Sequence, residues 1–197
     1  FGLPGYLSYG SRPSLVDIDD DGDLDLFVGD YYGSITFYEN TGTATAPAFG
    51  SSSSFPFGTT APPTYYNYNL SMDFADMDDD GDYDLLLAQG YAAGAYYYQN
   101  DGDSVNALFA TPIPASLFGI PDPNYANPAI SDIDDDGDFD IFAFEYGEIR
   151  MYENTGTSTT ATFATGVVSP FGLDFNGIGR PDGNFIDLND DGYLDLA

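Results

Sequence analysis

Residues 17–25 read Asp-Ile-Asp-Asp-Asp-Gly-Asp-Leu-Asp, a stretch of alternating aspartates around a single glycine. Three further copies of this nine-residue pattern begin at positions 76, 132 and 187, at spacings of 59, 56 and 55 residues. Self-similarity at a nearly fixed period is the signature of a repeat architecture. A Phe-Gly pair begins each repeat, at Phe1, Phe57, Phe118 and Phe171. The sequence therefore predicts repeat units at about 1–56, 57–117, 118–170 and 171–197, the last one incomplete.

The rest of each unit indicates short strands. An apolar run follows each aspartate-rich segment, then comes a glycine-containing turn, and a second run ends in Tyr-Glu-Asn or Tyr-Gln-Asn. Short runs bounded by Gly, Asn and Asp are typical of β-hairpins. No segment shows sustained helical periodicity. Units of this size with about four strands match propeller blades, so we predict an all-β fold in which residues 1–197 form one partial β-propeller of about three and a half blades.

The acidic charge is concentrated in the repeated segments. The formal net charge is −30, with three Arg and no Lys, His or Cys. Of the 33 acidic residues, 22 fall inside the four nine-residue segments, so the charge points to local cation sites more than to a uniformly acidic surface. Such a charge repels nucleic acid. No apolar run is long enough for a membrane span, and we expect neither nucleic-acid binding nor direct membrane insertion.

The spacing of the aspartates fits calcium. Calcium takes six to eight oxygen ligands, and positions 1, 3 and 5 of a tight loop can direct side chains at one centre. Position 6 needs a sharp turn that glycine accepts at little cost. Position 7 would give its backbone carbonyl, which leaves its side chain free to vary, and position 9 closes the ring. The predicted ligands are Asp17, Asp19, Asp21, Asp23 and Asp25; Asp76, Asp78, Asp80, Asp82 and Asp84; Asp132, Asp134, Asp136, Asp138 and Asp140; and Asp187, Asn189, Asp191, Tyr193 and Asp195.

Neither the EF-hand nor a magnesium site fits these segments as well as a calcium loop does. The EF-hand needs a Glu at position 12 between two helices, whereas Val28, Leu87 and Ala143 occupy that position here in strand-like flanks. Magnesium rarely occupies all-protein cages. Solvated acidic turns remain an alternative, but four copies in register, each with glycine at position 6, favour about four calcium ions, one per repeat. The aspartates at position 4, Asp20, Asp79, Asp135 and Asp190, are expected to face solvent.

The repeats resemble the FG-GAP/VCBS family, the calcium-binding repeats of integrin-α-like propellers. The resemblance rests on residues 13–29, Pro-Ser-Leu-Val-Asp-Ile-Asp-Asp-Asp-Gly-Asp-Leu-Asp-Leu-Phe-Val-Gly, and on residues 38–49, Tyr-Glu-Asn-Thr-Gly-Thr-Ala-Thr-Ala-Pro-Ala-Phe. It implies a propeller, usually of seven blades, with calcium in the loop between the first two strands of each blade. About three and a half blades cannot close such a ring, so we expect a fragment or one subunit of a larger assembly.

Three classes of function are compatible with this pattern. The first is a non-enzymatic extracellular module with a structural or adhesive role, which calcium rigidifies and which joins a cell-surface or fibrous assembly by self-association or by contact with surface proteins and glycans. The second is a lectin-like propeller whose tyrosines stack on sugars; the candidates are Tyr31, Tyr32, Tyr65, Tyr66, Tyr68, Tyr91 and Tyr125. The third is an enzyme; without His or Cys it is restricted to carboxylate chemistry, and we predict no enzymatic activity. Asn69-Leu-Ser matches a glycosylation acceptor, which would fit a secreted glycoprotein.

Overall fold

The computed structural model describes residues 9–58, 68–90, 94–120, 127–173, 175, 179, 181–189 and 191–197. Regular structure in these ranges is almost entirely β, with two short 3-10 turns at Ala115–Phe118 and Pro170–Gly172. Within the same ranges, no helix has the length and apolar character needed to cross a lipid bilayer.

The strands form three four-stranded antiparallel sheets and one two-stranded sheet. The first sheet contains β1 (Arg12–Val16), β2 (Asp25–Gly29), β3 (Ile35–Tyr38) and β4 (Ser53–Ser54). The second contains β5 (Tyr68–Ala75), β6 (Asp84–Gly90), β7 (Ala95–Tyr98) and β8 (Ile113–Pro114). The third contains β9 (Asn127–Ser131), β10 (Asp140–Glu145), β11 (Glu148–Tyr152) and β12 (Val167–Val168). The two-stranded sheet pairs β13 (Phe185–Ile186) with β14 (Asp195–Leu196).

Strand order in each sheet follows the chain, so every connection is a hairpin between neighbours. A four-stranded antiparallel meander of this kind is the blade of a propeller, and the predicted all-β fold of propeller blades is confirmed. Each sheet draws its strands from one of the four predicted units.

The second strand of each full sheet is its most buried element. Every residue of β2 and β6 is buried, and five of the six residues of β10 are buried. A strand that is covered on both faces has no solvent side, which explains why these segments read as continuous apolar runs rather than alternating ones.

The sheets pack face to face in chain order. Between the first and second sheets, the Phe27 ring lies 4.7 Å from that of Phe74. Between the third sheet and the last hairpin, the Phe142 and Phe185 rings lie 4.3 Å apart. Aromatic pairs at these distances contribute about 0.5–1.5 kcal/mol each beyond the burial of their area. The core is therefore a series of layers between successive units.

The first strands of the units surround a common space of about 470 Å³ that Ser14, Asp73, Pro128 and Asn184 help to line. Asp73 accepts a hydrogen bond from the backbone N–H of Ile130 at 2.8 Å, which ties the second unit to the third. Arg12 and Asp182 form an ion pair at 3.1 Å between the first unit and the fourth. The matching Arg180 lies outside the described residues.

Candidate metal centre

The aspartate-rich segment is the loop between the first and second strands of each unit, where the family resemblance predicts calcium. Position 6 has φ between 85° and 97° at Gly22, Gly81, Gly137 and Gly192. A Cβ at any of these glycines would meet no atom within 4 Å, so the positive φ, and not crowding, explains the glycine.

The position-4 side chains are exposed, as predicted, at Asp20, Asp79 and Asp135, whose backbones are also left-handed with φ of 55–60°. Aspartate tolerates that conformation better than most residues do. Asp20 accepts a 3.4 Å hydrogen bond from Ser104, and Asp79 a 3.3 Å bond from Ser158. Position 4 therefore touches the following unit. Asp190 lies outside the described residues.

Carboxylates of the loop hold its backbone in shape. Asp17 accepts hydrogen bonds from the backbone N–H groups of Asp21 at 3.1 Å and Gly22 at 3.0 Å, and Asp21 accepts from Asp23 at 3.1 Å. The same pattern recurs at Asp76, Asp132 and Asp187 in position 1 and at Asp80, Asp136 and Asp191 in position 5. The fourth loop thus has the same backbone arrangement although Asn189 and Tyr193 replace two aspartates.

The side chains of positions 1, 3 and 5 converge in the first three loops. In each loop, one carboxylate oxygen from every member of the trio lies within 4.8 Å of the others; the trios are Asp17, Asp19 and Asp21; Asp76, Asp78 and Asp80; and Asp132, Asp134 and Asp136. Oxygens that each lie about 2.3–2.6 Å from one ion are at most about 5.2 Å apart, so the trios match the spacing around calcium.

The aspartate at position 9 is the most buried part of each of these sites. Asp25, Asp84 and Asp140 are 2%, 0% and 1% exposed. One oxygen of each accepts a backbone N–H from the asparagine that lies two residues past the end of β3, β7 or β11, at 2.7, 2.7 and 2.8 Å. The Asp140 carboxylate also accepts the backbone N–H of Ile133, whereas the Oδ2 atom of Asp25 is buried without a hydrogen-bond partner among the described residues. Buried oxygens of this kind are costly unless paired, and a cation is the partner that suits a carboxylate.

At position 7, where the prediction is a backbone carbonyl ligand, the carboxylate side chains of the first three loops are buried. Asp23, Asp82 and Asp138 are buried, and the Oδ1 atom of each has no hydrogen-bond partner in the described part of the chain. In the fourth loop, Tyr193 occupies this position and is 77% exposed. In three loops the position-7 carboxylate therefore adds to the buried negative charge of the site.

Burial and mutual repulsion make these carboxylates weak acids. Desolvation is the main cause, and it raises the pKa of Asp25 and Asp140 to about 6 and that of Asp84 to about 7. Burial, followed by the charges of Asp80, Asp78 and Asp76, raises the pKa of Asp82 to about 6. Without a cation, each of these groups is more stable protonated than an ordinary aspartate is.

These pKa shifts predict that the stability of the folded chain changes with pH in opposite directions with and without metal. The folded metal-free chain binds protons more tightly than the unfolded chain, so its stability should rise as the pH falls from about 7 towards 4. In the calcium-loaded protein, protons compete with the metal, and stability should fall over the same interval. Melting temperatures of stripped and calcium-loaded protein should converge by several degrees between about pH 7.5 and about pH 5. A stripped protein that loses stability on acidification would contradict this assignment.

An asparagine that the sequence pattern did not predict as functional joins the metal loop of each complete unit to the connection that follows the third strand, at the same end of the sheet. The Asn40 side chain accepts hydrogen bonds from the backbone N–H groups of Gly42 at 3.1 Å and Ala48 at 2.8 Å, while its own backbone N–H donates to Asp25. Asn100 and Asn154 make the same contacts in the next two units. In the sequence, the recurrence of Asn after Tyr-Glu or Tyr-Gln is the pattern from which this role could have been predicted.

The second loop has two further partners from its third strand. The Tyr97 hydroxyl donates to Asp84 Oδ2 at 2.8 Å, and the Gln99 amide donates to Asp78 Oδ2 at 2.6 Å. Burial and the neighbouring Asp84 raise the pKa of Tyr97, so its hydroxyl keeps its proton. These contacts have no counterpart in the first and third loops in the described residues, where Phe37 and Met151 take the place of Tyr97.

The sequence also suggested candidate residues outside the metal loops, and the structure describes the surroundings of some of them. Glu145 and Glu148 both pair with Arg150, at 3.4 and 2.6 Å. The Nδ2 atom of Asn69 is buried, which argues against a glycan on this acceptor. Tyr32 is 68% exposed. Tyr65, Tyr66, Tyr91 and Tyr125 lie outside the described residues, as does the side chain of Tyr68.

The fold and the loops define an all-β repeat protein built of propeller blades. Residues 17–87 match the model of the FG-GAP-like repeat, which confirms the predicted resemblance over that part of the chain. Among curated proteins, no significant match was found. A chain of the Tc holotoxin pore of Photorhabdus luminescens is similar in structure, with 18% identity and a TM-score of 0.47 over 94% of this chain. The present chain spans 8% of the length of that one.

Proposed function

We propose that this chain is a non-enzymatic, extracellular calcium-binding module with a structural or adhesive role. The observation that carries the proposal is the convergence of three carboxylates in each of the first three loops, beside a position-9 aspartate that is almost completely buried. In the first loop, the Oδ2 atom of that aspartate, Asp25, has no hydrogen-bond partner in the described residues. These sites contain what a calcium ion requires: several oxygen atoms on a preformed loop, with little competition from protein donors.

The residues that would hold each ion are those of positions 1, 3, 5 and 9, with the backbone carbonyl of position 7. When bound, calcium supplies positive charge that offsets the repulsion within each loop. Four ions would change the formal charge from −30 to −22, so the surface would stay acidic. Extracellular calcium reaches concentrations that saturate even weak sites of this kind, which favours a location outside the cell.

Charge-removing variants inside and outside a loop test the proposal. We expect Asp19→Asn to abolish or strongly weaken calcium binding at the first loop and to leave the other loops near normal. Asp101→Asn is the matched control, because Asp101 is exposed and lies outside the loops. Isothermal titration with calcium chloride should show about one ion fewer for Asp19→Asn only. Equal binding by the two variants, or loss of every site together, would refute independent loop sites.

A lectin-like role is the second candidate, and one observation favours it. Tyr9 and Tyr32 are 76% and 68% exposed, and each ring makes an edge contact with that of Tyr31 at 5.4 Å. Exposed aromatic faces of this kind can stack on sugar rings. A glycan array compared between the native chain and Tyr32→Ala tests this role: selective binding that the variant loses supports it, and the absence of any selective binding refutes it.

A further inference from the structure

The three complete units differ at one position in the third strand and at the residue that directly follows this strand. Tyr97 lies opposite Leu86 in the second sheet, and the corresponding pairs in the first and third sheets are Phe37 with Phe27 and Met151 with Phe142. Two residues further on, Gln99 corresponds to Glu39 and Glu153. Among these three units, the second alone carries two uncharged hydrogen-bond donors at these positions.

Both donors of the second unit are directed at predicted metal ligands. Tyr97 donates to the position-9 aspartate, Asp84, whose Oδ2 also accepts the backbone N–H of Met77 at 3.1 Å. Gln99 donates to the position-3 aspartate, Asp78, at 2.6 Å. Hydrogen bonds to an ionised carboxylate are among the stronger ones. Part of the negative charge of this loop is thus already stabilised by the protein.

The first and third loops lack this stabilisation. The Oδ2 atom of Asp25 has no hydrogen-bond partner within the described ranges, although its side chain is almost completely buried. The Asp140 carboxylate accepts hydrogen bonds from the backbone N–H groups of Asn154 and Ile133 and has no counterpart of the Tyr97 hydroxyl in the described residues. Glu39 adds a further negative charge close enough to Asp19 to act on it electrostatically. The difference between the loops is therefore the pair of side-chain donors that the second unit directs at its metal ligands.

We infer that the loops are not equivalent and that the second binds calcium more weakly than the first and third. The hydrogen bonds from Tyr97 and Gln99 already stabilise two carboxylates that the ion would otherwise stabilise. This inference rests on the proposed calcium-binding function. Tyr97 and Gln99 act here as positioning residues, since they contact the ligand carboxylates and not the metal. A donor to a charged group is worth about a tenfold change in affinity or more, so we expect the second site to be about tenfold or more weaker than the first.

Exchanging the donors for the residues of the other units provides the test. The double variant Tyr97→Phe, Gln99→Glu should bind calcium at the second loop about tenfold more tightly in isothermal titration. The reciprocal variant Glu39→Gln should weaken the first loop. Site assignment comes from Asp80→Asn, which should remove a weak component of the native isotherm, and from Asp21→Asn, which should remove a tight one.

A second readout separates this role from simple structural support. In metal-free buffer, the double variant should melt at a lower temperature than the native chain, because it loses hydrogen bonds to the buried Asp84 and the half-buried Asp78, while its calcium affinity rises. A purely structural role would lower both quantities. Calcium binding with equal affinities at the first and second loops, or a double variant with unchanged affinity, would overturn the inference and leave the proposed function intact. Binding of no calcium by the native chain would overturn both.

Discussion

Removal of calcium should lower the melting temperature of this protein by roughly 20 °C or more. One ion that binds only the folded chain contributes about 2.7 kcal/mol at a hundredfold excess over its Kd. For a chain of this size, 1 kcal/mol corresponds to about 2–4 °C in Tm. Four loops per chain therefore give a large combined effect.

The measurement is a thermal melt followed by circular dichroism in millimolar calcium and then after exchange into chelator, at about 0.15 M ionic strength. Adding excess calcium back should restore the original transition, whereas the same concentration of magnesium should restore much less of it, because magnesium dehydrates reluctantly and favours a smaller octahedral site. A melt that is the same in calcium and in chelator would rule out a structural role for the metal.

The second large effect concerns position 9 of the third loop. Asp140→Ala should destabilise the calcium-loaded protein by about 4–6 kcal/mol, because it removes a metal ligand and also the acceptor of the Asn154 backbone N–H. Asp136→Ala, at position 5 of the same loop, removes a ligand that is exposed and accepts one N–H within the loop. It should cost about 2–3 kcal/mol in calcium.

Unfolding in the presence of a chelator separates the loss of the metal ligand from the loss of the hydrogen-bond acceptor. Without metal, Asp136→Ala should be close to neutral, since the relief of repulsion offsets the loss of one half-buried hydrogen bond. Asp140→Ala should still cost about 1–3 kcal/mol through the N–H that it leaves unpaired. Urea unfolding of both variants in both buffers provides the four free energies. Equal destabilisation by the two variants in chelator would show that position 9 has no structural role beyond the metal.

The local chemistry of the loops could be predicted from the sequence because it depends on residues within nine positions. The glycine at position 6 and the converging aspartates at positions 1, 3 and 5 are both found as the spacing indicates. The succession of short strands followed from turn residues and apolar runs, which are equally local.

Burial at the loops could not be predicted in the same way. The loop pattern predicts a backbone ligand with a variable side chain at Asp23, yet its carboxylate is buried, because the packing of the sheet around the loop decides exposure. The contact of Gln99 with Asp78 joins residues 21 positions apart and depends on the register of β6 and β7. In the sequence, Gln99 is visible only as a departure from the Tyr-Glu-Asn pattern.

The most direct test of the metal sites is a crystal structure grown in a calcium-containing buffer, with anomalous data collected at a long wavelength. Calcium binding predicts an anomalous peak in each loop, between the position-1, position-3 and position-5 side chains and within about 2.3–2.6 Å of the position-9 carboxylates. Ordered loops that contain only water under those conditions would contradict the account.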